Sequence, residues 1–314
     1  MKVDLARHAM LVSITIKLEG LLGERRDRGA SELVETTYSV AHKRAKASKY
    51  LIDRRNAKVK AVIAAAQQVR AVAYRYTFPW GDSNLRLLPV TVHTQFKNDL
   101  EVSLSGLNHA IDEYVKIYPQ LVKDSETELN GLFDSGEYPH VSKVRSMFKI
   151  SSGYWPVPDS GHFVADIANE AADEARQSII HDNSQRTADA INHLIARVEQ
   201  TVKHFVDKLG AYRTEIDKFG KEKIFGIFRD SLVENVRDMS VLVRKLNFTN
   251  DASIEQLGKH LDRLTVSSAD FLRENAETRQ NMVLEGQALL AKLDAFRKTD
   301  IEVDAMIDSV SDYM

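Results

Sequence analysis

The sequence predicts a mainly α protein: a long-helix antiparallel bundle with a coiled-coil-like tail and a small β element. Three observations carry this. Every proline of the 314 residues falls between Pro79 and Pro158, so the chain on either side can run as unbroken helix. From Ile191 onward, apolar residues recur at alternating steps of four and three, the seam of coiled-coil-like packing. Near the N-terminus, Val12, Ile14, Ile16 and Leu18 alternate with Ser13, Thr15 and Lys17, the period-two pattern of a half-buried strand.

Met10–Leu18 is therefore read as a strand, ended by Gly20 and Gly23. From Ala30 to Phe78 there is neither Gly nor Pro, and Val34, Tyr38, Ala41, Ala45, Ile52, Val59, Ile63 and Ala66 fall on one helical stripe. The stretch predicts one long helix, or two with a break near Asp53, stopped by Pro79. A helix from Thr94 to Leu132 follows. Phe96, Leu100, Leu104, Leu107, Ile111, Tyr114 and Tyr118 mark its buried face, and Pro119 is a candidate kink. LFDSGEYPH reads as a turn and VSKVRSMF as a short helix. FKISSGYWPVPDSG reads as extended chain able to pair with the first strand, with Asp159 or Ser160 capping the next helix.

In the tail, Ile191, Ile195, Val198, Val202, Phe205, Leu209, Tyr212, Ile216 and Phe219 form one heptad seam. Phe225, Phe228, Leu232, Val236, Met239, Val243 and Leu246 continue it after Gly220. Asp251 is placed to cap a third helix that starts with Ile254, Leu257, Leu261 and Leu264 and runs to Arg297. Short connections imply antiparallel neighbours within one chain, while an intermolecular coiled coil, and with it a homo-oligomer, stays open. The chain divides into a mostly helical domain, 1–158, with the small sheet and the Pro/Trp turns, and a bundle, 159–314.

Composition excludes several classes. Hydrophobic residues at 43% and charged residues at 28% fit an ordinary globular protein, and no apolar run approaches the ~18 residues of a membrane helix. The start, MKVDLARHAMLVSITIKLEG, reads as strand rather than as a secretion signal, because polar residues interrupt its apolar part. With no cysteine there are no disulfides, thiolate nucleophiles or iron–sulfur ligands, which suits a cytoplasmic setting. Residues 1–70 carry 15 Lys/Arg against 7 Asp/Glu, so a basic head precedes an acidic body.

No constellation for chemistry emerges. His193 and His204 share a helical face but stand about 16 Å apart, too far for one ion. Glu137 and His140 have the spacing of a di-iron motif, but Pro139 separates them and the second motif is missing. Asp166, Glu170, Asp173 and Glu174 lie at helical spacing and read as a solvated face. Neither a phosphate-binding glycine loop nor a GxSxG elbow occurs. Accordingly no catalytic residue, metal or cofactor is predicted. The basic stretch HKRAKASKYLIDRRNAKVK offers Lys43, Arg54 and Lys58 as its compact group, a surface for a protein partner or for nucleic acid.

YRYTFPWGDSNLRLLPV, residues 74–90, holds one of two tryptophans and two of six prolines. Pro79 stops a helix, Gly81 permits a tight turn, and Asp82 can hold nearby amides or pair with Arg86. Trp80 and Trp155 are read as buried anchors. Thr77-Phe78-Pro79-Trp80, Asp82, Arg86-Leu87-Leu88-Pro89, Tyr138-Pro139 and Pro156-Val157-Pro158 together resemble a family of mostly helical proteins of bacteriophages, plasmids and some bacterial chromosomes. The resemblance covers roughly residues 10–160 and rests on turn and anchor residues. Its members have no assigned activity, so it supplies no functional residues. Their genes often neighbour a MoxR-type AAA+ ATPase and a cobalt-chelatase-like protein with a von Willebrand A domain. It implies a non-enzymatic adaptor or scaffold for such a system. The alternative is a phage-type nucleic-acid-binding protein using residues 42–60.

Overall fold

The computed structural model describes residues 5–18, 22–81, 84–159, 169–216 and 218–311, with backbone alone for 169–171 and from 296 onward. In chain order its helices and strands are α1 (Leu5–His8), β1 (Ala9–Lys17), β2 (Glu24–Asp27), α2 (Arg28–Thr37), β3 (Ala47–Tyr50), α3 (Ala57–Tyr76), β4 (Phe78–Pro79) and β5 (Arg86–Pro89). There follow α4 (His93–Leu129), α5 (Val141–Met147), β6 (Lys149–Pro156), α6 (Asn169–Ala211), β7 (Arg213–Ile216), β8 (Glu222–Phe225), α7 (Ser231–Leu246), α8 (Ala252–Leu264), α9 (Ala269–Glu274) and α10 (Ala276–Ser311). The protein is mainly α with a small antiparallel β element, as its sequence predicts.

The chain forms two compact units. One, here the sheet unit, comprises Met10–Leu88 and His93–Pro156; the other, the bundle unit, comprises Met1–Ala9, Pro89–Val92 and Val157–Met314.

In the sheet unit, α3 packs on α4. Val59, Val62, Ala66 and Val69 repeat at steps of three and four on α3, and Phe96, Leu100, Leu107, Ile111 and Tyr114 at steps of four, seven, four and three on α4, all of them buried. Pro119 sits inside α4 on its exposed side, and the neighbouring Tyr118 and Leu121 stay buried. The expected pairing of the first strand with the later extended segment is present: β1 and β6 run antiparallel from Met10 opposite Pro156 to Lys17 opposite Lys149. They belong to a four-stranded sheet of order β4-β5-β1-β6.

Three expectations need correcting. First, residues 30–78 are two helices with a strand between them. Asp27 caps α2 by accepting from the Ala30 amide at 2.8 Å, and Asn56 caps α3 by accepting from the Lys58 amide at 2.9 Å. Ser39 and Lys43 have φ of 53° and 63°, a left-handed conformation no helix interior adopts. The chain then enters β3, which pairs antiparallel with β2 from Glu24–Tyr50 to Asp27–Ala47. Tyr38, placed on the buried stripe by the periodicity, is exposed.

Second, Trp155 is 45% exposed, whereas Trp80 is only 8% exposed. Trp155 lies on the edge strand of the sheet, and its ring folds over Gly153, two residues back on the same face. A Cβ at Gly153 would stand 2.4 Å from the ring. We therefore expect Trp80→Ala to cost about 3 kcal/mol and Trp155→Ala about 1 kcal/mol or less. Urea midpoints of the two variants should separate clearly; equal midpoints would contradict the assignment of burial.

Third, the heptad seam of the bundle unit does not continue through Phe219. Leu194, Ile195, Val198, Val202, Phe205 and Leu209 are buried on α6, but α6 ends at Ala211 and β7 and β8 follow as a hairpin. The third helix is likewise divided. Asp251 caps α8 by accepting from the Ser253 amide at 2.7 Å, and α8 stops at Leu264. Ser268 then caps the short α9 by accepting from the Phe271 amide at 3.2 Å. Within the unit α6 packs on α7 and α10, and α7 on α8. Gly286 of α10 meets Val206 of α6, where a Cβ would stand 2.4 Å from the valine methyl. Ser240 donates within the α7–α8 contact to the Gly258 carbonyl at 3.0 Å. Asp159, a candidate cap of the next helix, is the last described residue before 160–168, and the alternative cap Ser160 and Asp166 of the acidic run lie outside the described residues.

Candidate functional site

The hairpin that interrupts the seam begins with a sequence feature the heptads conceal. Gly220 lies between RTEI and EKIF with φ of +73°, a left-handed conformation suited to a tight turn between two short strands. In the β7–β8 register Arg213 faces Phe225, Thr214 faces Ile224, Glu215 faces Lys223 and Ile216 faces Glu222. The two faces therefore differ. On one, Arg213 and Lys223 lie over the Phe225 ring at 4.8 and 5.0 Å, and Arg213 pairs with Glu215 at 2.7 Å. On the other, Ile216 is 77% exposed and Ile224 46%. Phe219 at the tip and Ile227 at the exit are exposed at 87% and 73%.

The base of the hairpin is fixed. Tyr212 and Phe228, which flank it, meet edge to face with centroids 5.2 Å apart, and both are buried. Arg279 lies over the Tyr212 ring at 4.8 Å and Arg273 over the Phe228 ring at 5.1 Å. Arg273 also donates to the Phe228 carbonyl at 3.0 Å and pairs with Asp230 and Asp270. These carboxylates keep the guanidinium more firmly protonated than usual, Asp230 foremost. Gly226, with φ of +66°, lets the returning strand reach the end of α6 so closely that a Cβ there would stand 2.1 Å from the Ala211 carbonyl. Four exposed apolar side chains, Ile216, Phe219, Ile224 and Ile227, are thus carried on a well-packed base, with Thr214 and Glu222 beside the two isoleucines of the strands.

A second feature lies in the sheet unit. Lys49 of β3 is buried, and its Nζ lies 2.9 Å from Asp27 and 2.7 Å from Glu137, and donates to the Leu132 carbonyl. The ammonium joins β2, β3 and the turns at 130–137. Burial opposes its charge, but the two carboxylates outweigh burial and hold its pKa above the usual lysine value. The Asp27 carboxyl is held below the usual range by the Ala30 amide first and by Lys49 second. Beside this network opens a cleft of about 750 Å³, lined by Arg25, Arg26, Arg28, Leu33, Phe133 and Asp134 among others.

The turn anchors and the basic group singled out from sequence occupy neither place, whereas Glu137, weighed there for its spacing from His140, is part of the Lys49 network. Pro79 and Trp80 build the β4–β5 turn, where the Trp80 amide donates to the Leu85 carbonyl at 3.2 Å and Gly81 has φ of +57°. Asp82 lies outside the described residues. Arg86 grips the end of α3, donating to the Thr77 hydroxyl at 2.6 Å and carbonyl at 3.2 Å while lying 4.5 Å over the Tyr74 ring. Burial lowers its pKa from the ordinary arginine value. Lys43 is in the loop before β3, Arg54 in the turn before α3, where it lies over Tyr50 at 5.2 Å, and Lys58 in the first turn of α3, paired with Glu113 at 2.9 Å. They do not share one helical wheel, because no helix spans them. Arg55, in the same stretch, pairs with Asp53 at 3.0 Å.

Among the described residues no group of three or more His, Asp or Glu side chains could hold a metal ion, and no helix is long and apolar enough to cross a membrane. Glu137 is engaged with Lys49, and His140 caps α5 by accepting from the Ser142 amide at 3.3 Å. Comparison of the chain with protein-family models, with curated proteins and with solved structures finds no match.

Proposed function

We propose that the protein is a non-enzymatic adaptor that docks on a protein partner through the β7–β8 hairpin. One observation carries the reading: large apolar side chains are displayed on a two-stranded ribbon whose base is held rigid. A hairpin of two strands is marginal in water unless something covers a face, and a protein partner supplies that cover. Rigid presentation also lowers the ordering cost of association. The resemblance of residues 10–160 names the partner class, a cytoplasmic AAA+ ATPase or a von Willebrand A-domain protein encoded nearby. Nucleic acid is the weaker reading. In the stretch 42–60 the charges of Lys49, Arg55 and Lys58 are engaged with carboxylates, which reduces what remains for phosphate contacts.

Co-expression of the tagged chain with the co-encoded ATPase and A-domain protein tests the proposal. One of them should co-purify with ATP or a non-hydrolysable analogue present, and the isolated chain should hydrolyse no nucleotide. Failure of both to co-purify would remove the reading.

A further inference from the structure

The cleft beside Lys49 belongs to the sheet unit, and a ligand bound there would be independent of the adaptor reading. The cleft's charges fall into two sets. Lys49 on its floor is paired with two carboxylates, Asp27 and Glu137, so that network is complete without a ligand and carries one net negative charge. At the rim stand Arg25, Arg26 and Arg28, all exposed; Arg25 and Arg26 are neighbours on β2 and leave opposite faces of the strand, so Arg25 and Arg28 are the pair available to one ligand. Arg25 makes one long hydrogen bond, 3.4 Å to the Glu137 carbonyl, and lies directly opposite Lys49 in the β2–β3 register. Neither Arg26 nor Arg28 has an ion-pair partner among the described residues.

The other walls narrow the choice of anion. Leu33, 68% exposed, lines the same cleft as Phe133, whose ring stacks on Tyr138 with centroids 4.9 Å apart. An apolar wall beside a guanidinium cluster suits an organic molecule that carries phosphates. The volume of about 750 Å³ is that of a small-molecule site. Asp134 and Glu137 line the same cleft, so a nucleic-acid backbone crossing it would meet carboxylates. A compact anion held at the arginine rim avoids them. Guanidinium forks match phosphate oxygens in pairs, which a lysine cluster would not do.

We infer that the cleft formed by β2, the first turn of α2 and the 131–137 turns binds a small phosphorylated molecule of the di- or triphosphate class, gripped by Arg25 and Arg28.

Calorimetric titration of the full chain at low salt tests this with two probes, inorganic pyrophosphate and ATP. Saturable one-site binding of at least one is expected, weakening as salt rises. Tighter binding of ATP would show that the apolar wall takes up the organic part; equal binding would assign the affinity to the phosphates alone. Arg25→Gln with Arg28→Gln should weaken binding about tenfold or more, with far-UV dichroism and melting unchanged. Arg28→Lys, which keeps the charge and loses the fork, should weaken it less, and Arg229→Gln in the bundle unit should leave it unaltered. Absence of saturable binding by both probes would overturn the inference. So would binding undiminished in the Arg25/Arg28 variant, or binding of a single-stranded oligonucleotide where neither small probe binds.

Discussion

Replacing Gly226 with valine is expected to destabilise the bundle unit by about 3–5 kcal/mol and to unseat the hairpin. Two costs add. At a φ of +66° a β-branched side chain lies in the left-handed region, which costs roughly 1–2 kcal/mol even for an unbranched residue. Its Cβ would also stand 2.1 Å from the Ala211 carbonyl, a backbone atom at the end of α6 that cannot swing aside as a side-chain tip would. Overpacking of this kind costs about 1–3 kcal/mol. Both tryptophans belong to the sheet unit, so the readout is specific. The transition seen by far-UV dichroism should move to lower urea, while that seen by tryptophan fluorescence should stay close to its wild-type position. A variant as stable as wild type would mean that the hairpin base is not packed as described.

Lys49→Met should have the opposite signature, a loss of about 3–4 kcal/mol seen by tryptophan fluorescence. Methionine fills similar space, but it leaves Asp27 and Glu137 facing each other with no cation, and removing one partner of a buried pair costs several kcal/mol. The pH dependence follows from the direction of the Asp27 shift. Its folded pKa lies below the unfolded value near 3.9. The stability it contributes is therefore present above about pH 4 and is lost as pH falls through the depressed value. Lys49, with its pKa raised, contributes below the ordinary lysine range and loses that contribution only as alkali passes the raised value. The gap between wild type and Lys49→Met should hold across neutral pH and narrow under acid. A gap that widened on acidification would contradict the ion-pair account.

What the sequence revealed and what it concealed have the same physical origin. Periodicity reports which residues of a helix or strand would share a face, so the buried sides of α4 and α6 and the β1–β6 pairing were legible, while on α3 Val59 and Ala66 were placed correctly and the buried Val62, Val69 and Val72 were not named. It does not report where a helix stops. Tyr212, Ile216 and Phe219 continue the heptad spacing, yet Gly220 and Gly226 take left-handed conformations and turn those positions into a hairpin. These two glycines were the available signal, because RTEI and EKIF carry no alternation of polarity that could be set against a long seam. Capping residues were similarly visible and similarly ambiguous. Asn56 marks the start of α3, but polar residues in a charged stretch also occur on solvated helix faces. The ERRDR cluster after Gly23 was plain in sequence. Its meaning came only from folding, which sets Lys49 and the 130–137 turns, from distant parts of the chain, against it. Trp155 was misjudged because aromatic content and flanking prolines do not distinguish an edge strand from an inner one.

The central claim, docking through an apolar hairpin on a rigid base, is tested most directly by a comparative capture experiment. The tagged wild-type chain and an Ile216→Asp/Phe219→Asp variant are each co-expressed with an AAA+ ATPase and a von Willebrand A-domain protein of the proposed partner classes, and the partner retained per mole of bait is measured. Both substitutions fall on exposed side chains, so the variant should melt with the wild type. The account predicts that the wild-type chain retains one partner and that the variant loses most of it. Equal retention by the two baits would contradict docking through the hairpin, and no retention by the wild-type chain would contradict the partnership itself.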